Sequence, residues 1–197
     1  MPFSTTSRIV RTLFGTAAFT MALALPSIAA GVVLKVDPAK SSVTATFKQL
    51  GVPVEAKFNR FTSQIDFNPA APETSKATVE MDVTSFDLGD PEYNREVLKK
   101  DWFNAAQFAK ATFVSRSIKP SAGAPAGTRY DVTGTLTIKG KAADVQFPMT
   151  LKKEGALQVF EGTLPIKRLT YNIGESEWKD TSIVHDEVLI KIRAVAQ

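Results

Sequence analysis

The stretch YDVTGTLTIKGKAADVQFPM, residues 130–149, carries the pattern of two half-buried strands on either side of a turn. Tyr130, Val132, Gly134, Leu136 and Ile138 alternate with polar residues, and beyond the Lys139-Gly140 pair Val145, Phe147, Met149 and Leu151 do the same. Neighbouring side chains of a strand point to opposite faces, so a period of two means one face buried and the other wet. The Lys-Gly pair supplies the turn signal between the runs.

The same period recurs to either side. It is present at Val43, Ala45 and Phe47, at Val79, Met81 and Val83, and at Val188, Ile190, Ile192 and Ala194. Two stretches change phase. Val54, Ala56 and Phe58 occupy even positions whereas Phe61, Ile65 and Phe67 occupy odd ones, which predicts a bulge or bend near Asn59–Arg60. A similar shift is expected between Val159 and the Leu164–Ile166 pair. Residues 119–127, rich in Pro, Ala, Gly and Ser, read as an exposed hairpin loop.

One segment departs from strand periodicity. In PEYNREVLKKDWFNAAQF, residues 91–108, Asp90 is placed as an N-cap, Pro91 as the first helical residue, and Val97, Leu98, Trp102 and Phe103 lie near helical spacing. One or two short helices are expected there. The fold class that follows is all-β: an antiparallel sheet of about eight strands, closed into a barrel or folded into a sandwich, with closure favoured because it removes unpaired edges. The inward positions hold Phe47, Phe58, Phe61, Phe113, Tyr130 and Phe147, with Ala45, Ala56, Ala111 and Gly134 among them. A barrel of this size either fills its interior with side chains or keeps room for one ligand, and periodicity leaves both open.

The first 30 residues read separately. Arg8 and Arg11 precede an uncharged run from Leu13 to Pro26, and Ser27, Ala29 and Ala30 supply a small-residue cleavage site, the pattern of a secretory signal peptide over residues 1–30. Cleavage is expected after Ala29 or Ala30, leaving residues 31–197 as one exported, periplasmic domain. Loss of Arg8 and Arg11 takes the formal charge from +4 to +2. Basic and acidic residues are interspersed beyond the leader without an arginine-rich tract, so nucleic acid is not an expected partner.

The chain has no cysteine and a single histidine, His185, which argues against disulfides, thiolate chemistry and most zinc, copper or haem sites. No Gly-x-Ser-x-Gly elbow, phosphate-binding glycine loop or dinucleotide fingerprint is present. His185-Asp186 are adjacent on what reads as strand or turn, so their side chains diverge; Asp87 with Asp90, and Glu175 with Glu177, read as solvated loop acids. No catalytic residue and no metal ligand is assigned.

The order of short motifs adds a resemblance. VDPAKSSVTATFKQLG at 36–51, Phe58-Asn59-Arg60-Phe61 with Ile65-Asp66-Phe67, VEMDVTSFDLGD at 79–90, Asp101-Trp102-Phe103, Ala111-Thr112-Phe113, residues 130–149, Arg168 to Gly174 and Asp186-Glu187-Val188 together resemble the YceI-like family of exported lipid-binding proteins. The resemblance spans about Val33 to Ile192 and implies a lipocalin-like barrel with a helical cap, enclosing an apolar cavity for a polyisoprenoid such as an isoprenoid quinone or isoprenyl pyrophosphate. It requires no cofactor beyond that ligand.

On this footing Phe47, Phe58, Phe61, Phe113, Phe147 and Met149 are expected to line the cavity, Trp102 and Phe103 to gate its mouth, and Arg168, Tyr171, Asn172 and Trp178 to meet the head group. Thr170 and Asn172 stand where the family often has aspartate and glycine around the aromatic residue, and Trp102 brings a larger ring than the usual phenylalanine. The expected function is a non-catalytic isoprenoid carrier, monomeric or homodimeric. The alternatives are a quinone-linked electron-transfer accessory of a membrane cytochrome, a small-molecule enzyme at the barrel mouth, and a cavity-free adaptor.

Overall fold

The computed structural model describes Met1 and residues 31–197. The signal-peptide reading rests on residues 2–30, which lie outside the described residues. Eleven strands and one α-helix follow in the order β1 (Val32–Leu34), β2 (Ser42–Gln49), β3 (Val52–Phe58), β4 (Phe61–Phe67), β5 (Lys76–Asp82), β6 (Phe86–Asp87), α1 (Pro91–Val97), β7 (Lys110–Pro120), β8 (Arg129–Ile138), β9 (Lys141–Glu154), β10 (Leu157–Lys167) and β11 (Glu187–Ala196). All pair antiparallel in one sheet of order β1-β4-β5-β7-β8-β9-β10-β11-β2-β3-β6. The count exceeds the expected eight or so because β1 and β6, at the two edges, have only three and two residues. Alternation cannot show in so short a run.

The hairpin of residues 130–149 forms as its pattern dictates. Lys139 and Gly140 both adopt positive φ, +48° and +70°, the geometry of the two-residue turn whose twist matches its strands. The bend at Asn59–Arg60 has a larger consequence. β3 and β4 lie near opposite ends of the sheet order yet are joined by those two residues alone, so the sheet must curl until its ends meet. The junction is tied by Asn59 N donating to Ser85 O (3.1 Å), Arg60 N to Ser85 Oγ (2.9 Å) and Arg60 Nε to Asp82 Oδ2 (2.9 Å).

The second expected phase shift does not occur. β10 pairs in unbroken register with β9 and β11, and Phe160, Leu164 and Ile166 share the core-facing parity. Val159 is buried on the opposite face, near Val195, whose carbonyl accepts from Asp37 N at 2.8 Å as the segment after β1 crosses there. A phase break and a strand covered on both faces leave the same trace in a sequence.

Inside the curl the two ends differ. Toward the start of β8 and β10 the space is packed: Phe67 meets Tyr130 and Phe160 edge-on, each at 5.4 Å, and Phe113 meets Phe147 at 5.7 Å. Gly134 makes room for that packing, since a Cβ there would stand 2.6 Å from the Phe113 ring and 2.5 Å from Val114 O. At the other end of the same strands the interior is not filled.

α1 begins as its sequence predicts, with the Asp90 carboxylate accepting from Glu92 N (2.7 Å) and Tyr93 N (3.2 Å) and Pro91 at the first turn. It ends at Val97, and turns carry the chain through Trp102 and Phe103. Phe103 packs on Phe86 (5.1 Å) and Phe58 (6.5 Å), which fastens this cap to the curled sheet.

Candidate functional site

A cavity of about 300 Å³ lies between the cap and the sheet. Ala45 and Phe47 of β2, Leu136 and Ile138 of β8, Ile166 of β10, and Val188 and Ile190 of β11 form its sheet side. Met81 of β5 and Phe86 of β6 extend the sheet side, and Val97 of α1 with Trp102 and Phe103 beyond it forms the cap side. Its exposed lining residues are Gly89 and Tyr93, so it opens beside the first turn of α1.

The expected residues divide. Phe47, Phe58, Trp102, Phe103, Arg168 and Trp178 are brought together in the wall. Phe113 and Phe147 lie outside it, as the ring pair of the packed end, and Met149 stands opposite Tyr130 and Gly162 at that same end. Phe61, half-buried, borders a surface groove with Arg60 and Lys110. Parity gives the face of a strand, whereas distance along the barrel decides whether an inward residue meets the cavity or the packed end. The aliphatic lining residues Leu136, Ile138 and Ile190 carry the inward signal too, but an argument from aromatic rings passes over them.

Tyr171 and Asn172 also lie outside the lining. Tyr171 is almost wholly buried, and burial pushes its phenol pKa up. Asn172 has φ +55° and closes the 3-10 turn of residues 168–171, with its carbonyl accepting from Lys139 Nζ at 2.8 Å. Asparagine tolerates the left-handed region better than most non-glycine residues, which is a physical reason for its use there.

Arg168 is the buried charge of the wall, 2% exposed. Its guanidinium donates only to main-chain carbonyls: Nε to His185 O (3.1 Å), one terminal nitrogen to Ile173 O (2.8 Å) and Gly174 O (3.3 Å), the other to Trp178 O and Val184 O (both 2.6 Å). All five donors of the fork are engaged. Burial lowers the Arg168 pKa, and the field of Asp186 opposes that shift. The guanidinium also sits 5.9 Å from the Trp102 ring centre, and Trp102 packs on Trp178 at 5.3 Å. Arg168 therefore gathers the loop between β10 and β11 into the cavity wall and has no donor left for a head group.

His185 is exposed, and the bonds it makes run through its backbone, from N to Lys48 O (2.9 Å) and from Arg168 Nε to its O. Among the described residues no cluster of three or more His, Cys, Asp or Glu is placed to hold a metal ion.

Comparison with known proteins agrees with this architecture. The model of the YceI-like domain matches residues 34–196. The chain belongs to the YceI-like family. A UPF0312 protein of Pseudomonas fluorescens is 33% identical over 135 residues, 65% of this chain and 63% of that protein, so the YceI-like chain spans less than two thirds of this relative. The crystal structure of Burkholderia cenocepacia BcnA is 52% identical and superposes with a TM-score of 0.78, covering 83% of this YceI-like chain and 100% of BcnA. A polyisoprenoid binding domain from Saccharophagus degradans shares the YceI-like fold at 17% identity and a TM-score of 0.63, covering 84% and 97% of the two chains.

Proposed function

We propose that this protein is an exported, non-catalytic carrier that holds one isoprenoid chain in the cavity beneath α1. The observation that carries the reading is the cavity itself: about 300 Å³, walled by aliphatic and aromatic side chains and opening beside Gly89 and Tyr93. A cavity of ~150 Å³ takes a benzene-sized guest, so one twice that size takes on the order of a dozen carbons. At ~0.8 kcal/mol per buried carbon the gross gain is roughly 10 kcal/mol, within the ~4–15 kcal/mol range for the freedom lost on binding. A chain that fills the cavity is therefore favoured over a small solute, and a longer chain leaves through the mouth beside α1. The S. degradans domain, named for polyisoprenoid binding, is a precedent for such a ligand in this architecture. The basic and apolar leader supports a periplasmic location.

Organic extraction and mass spectrometry of protein purified from the periplasm test the reading. The expected result is one isoprenoid per chain and a mature N-terminus at residue 30 or 31. Ala45, on the sheet side of the cavity, gives the control: Ala45→Trp fills the space and is expected to abolish lipid recovery while the melting curve stays within a few degrees. Protein that is lipid-free and takes up no added isoprenoid overturns the proposal.

A further inference from the structure

We propose that α1 is a lid over the cavity that swings on Gly89, and that Asn94 is the latch that holds it shut. The inference rests on the lipid-holding function above and adds the route of entry. Asp90, Tyr93, Glu96 and Val97 bring the start and body of α1 into the lining, and the mouth lies beside Gly89 and Tyr93. No other lining residue is exposed, so α1 is the part of the wall that an entering chain must pass. The remainder of the cap is fastened. Phe103 packs on Phe58 and Phe86, Trp102 packs on Trp178, and Asp101 O accepts from Gly174 N (2.9 Å) and Glu175 N (2.8 Å).

α1 itself is held more lightly. Val97 is its one buried residue, and its ion pairs, Arg95 with Glu92 and Glu96 with Lys99, stay within the cap. Among the described residues one α1 side chain is hydrogen-bonded beyond the cap: Asn94 Oδ1 accepts from Leu88 N at 2.7 Å, and Asn94 Nδ2 donates to Asp87 Oδ1 at 2.9 Å. Both bonds span Gly89, which has φ +80°, stands exposed, and would set an added Cβ against nothing within 4 Å. A glycine in open space between a strand and a short helix turns easily, so the bonds across it decide whether the helix lies down. Asp87 is tied in turn to the bend that closes the sheet. Its carboxylate also accepts from Gly89 N (2.9 Å) and from Asn59 Nδ2 (3.3 Å). Hydrogen bonds from Asn94, Gly89 and Asn59 hold the Asp87 carboxyl below its ordinary value of 3.8, with the Lys57 charge acting in the same sense. Neither Asn94 nor Asp87 lines the cavity, which separates a latch from a ligand contact.

Hydrogen exchange and stopped-flow binding test the latch together. Asn94→Ala removes both bonds and is expected to speed deuterium exchange at the α1 amides of residues 94–97 roughly five- to fiftyfold, with strands β7–β9 unchanged. Alanine is a better helix former than asparagine, so a purely local effect on α1 would slow that exchange instead. Farnesol is the probe of entry, followed by the fluorescence of Trp102 and Trp178, the chain's two tryptophans and both in the wall. A latch acts alike on the empty and the filled protein, so association and dissociation are both expected to rise by about the same factor while Kd stays within about threefold. Asn94→Asp keeps the acceptor for Leu88 N and sets a carboxylate against Asp87, and is expected to open the lid at least as far as Asn94→Ala. Slower or unchanged exchange in α1, a rise shared by β7–β9, or a weaker Kd at an unchanged association rate overturns the lid. An unsubstituted protein that takes up no farnesol overturns the carrier function, an outcome distinct from these because exchange in the empty protein reads the latch without a ligand.

Discussion

Arg168 is surrounded by five carbonyl oxygens, each of which loses its partner when the side chain is truncated. Buried acceptors left bare, together with the lost cation–π contact on Trp102, make Arg168→Ala costly, on the order of 3–5 kcal/mol. Arg168→Lys keeps the charge but supplies three donors from one point, so it is expected to recover only part of the loss. Urea midpoints of the three proteins check the order. Gly134 acts in the opposite sense, through the absence of a side chain: Gly134→Ala drives a methyl group into Val114 O and the Phe113 ring. The expected destabilisation is about 1–3 kcal/mol, read from thermal melts, and a second substitution at Phe113 to leucine is expected to relieve part of it. Such roles are only half legible in a sequence. Gly134 is visibly inward by alternation, and an inward glycine reads equally as empty volume or as space taken by a neighbouring ring; the structure shows the latter.

The elements that enclose the cavity are short and depend on one another. α1 has seven residues, too few to persist alone in water, and is held by its Asp90 cap and by burial of Val97, while the chain just beyond it is fastened to the sheet by Phe103 against Phe58 and Phe86. The Asp90-Pro91 signal for its start was legible because capping is local chemistry. The second support was not: Lys139, in the β8–β9 turn, reaches across to Asn172 O and Glu175 Oε2, both at 2.8 Å, and so pins the loop that carries Arg168's carbonyl partners. Nothing in the spacing of residues 33 and 36 positions apart announces that contact. It has a pH signature. The Lys139 hydrogen bond and charge hold the Glu175 carboxyl below its ordinary value of 4.5, so it binds a proton less readily folded than unfolded. A depressed folded pKa gives stabilisation that is complete above the unfolded value and is lost as pH falls through the folded one. Below about pH 4.5, loop amides near residues 172–175 are therefore expected to exchange with deuterium faster, while in Glu175→Gln that pH dependence flattens. Because Glu175 is itself part-exposed, solvent screening keeps the effect local to the loop.

At the scale of the molecule, closure depends on two places where the chain meets itself. One is the Asn59–Arg60 bend, which the change of phase from Phe58 to Phe61 foretold. The other joins the ends of the domain: Lys35 N donates to Gln197 O at 2.9 Å and Gln197 N to Lys35 O at 3.1 Å. Alternation revealed the faces of the long strands, yet strand order, the split of the interior into a packed end and an open one, and the two-residue edge strand β6 depend on which strands meet, and a single sequence does not encode that locally. The two junctions make opposite predictions for circular permutation. Linking residue 197 to residue 31 through a flexible linker long enough to run back along β1, and opening the chain in the loop from β7 to β8, breaks no strand pairing and leaves every cavity-lining residue in place. That permutant is expected to keep its unfolding free energy within about 1 kcal/mol and to take up added isoprenoid as the parent does, since domains with adjacent ends tolerate the rearrangement. Opening the same linked chain at Asn59–Arg60 instead frees β3 from β4, the covalent tie between the two ends of the sheet, at a junction otherwise fastened by the bonds of Asn59 and Arg60 to Ser85 and Asp82. The sheet can then uncurl beside Phe58 and Phe86, and loss of ligand uptake ahead of global unfolding is expected. Equal behaviour of the two permutants would mean that closure is maintained by packing across the interior and owes little to the bend.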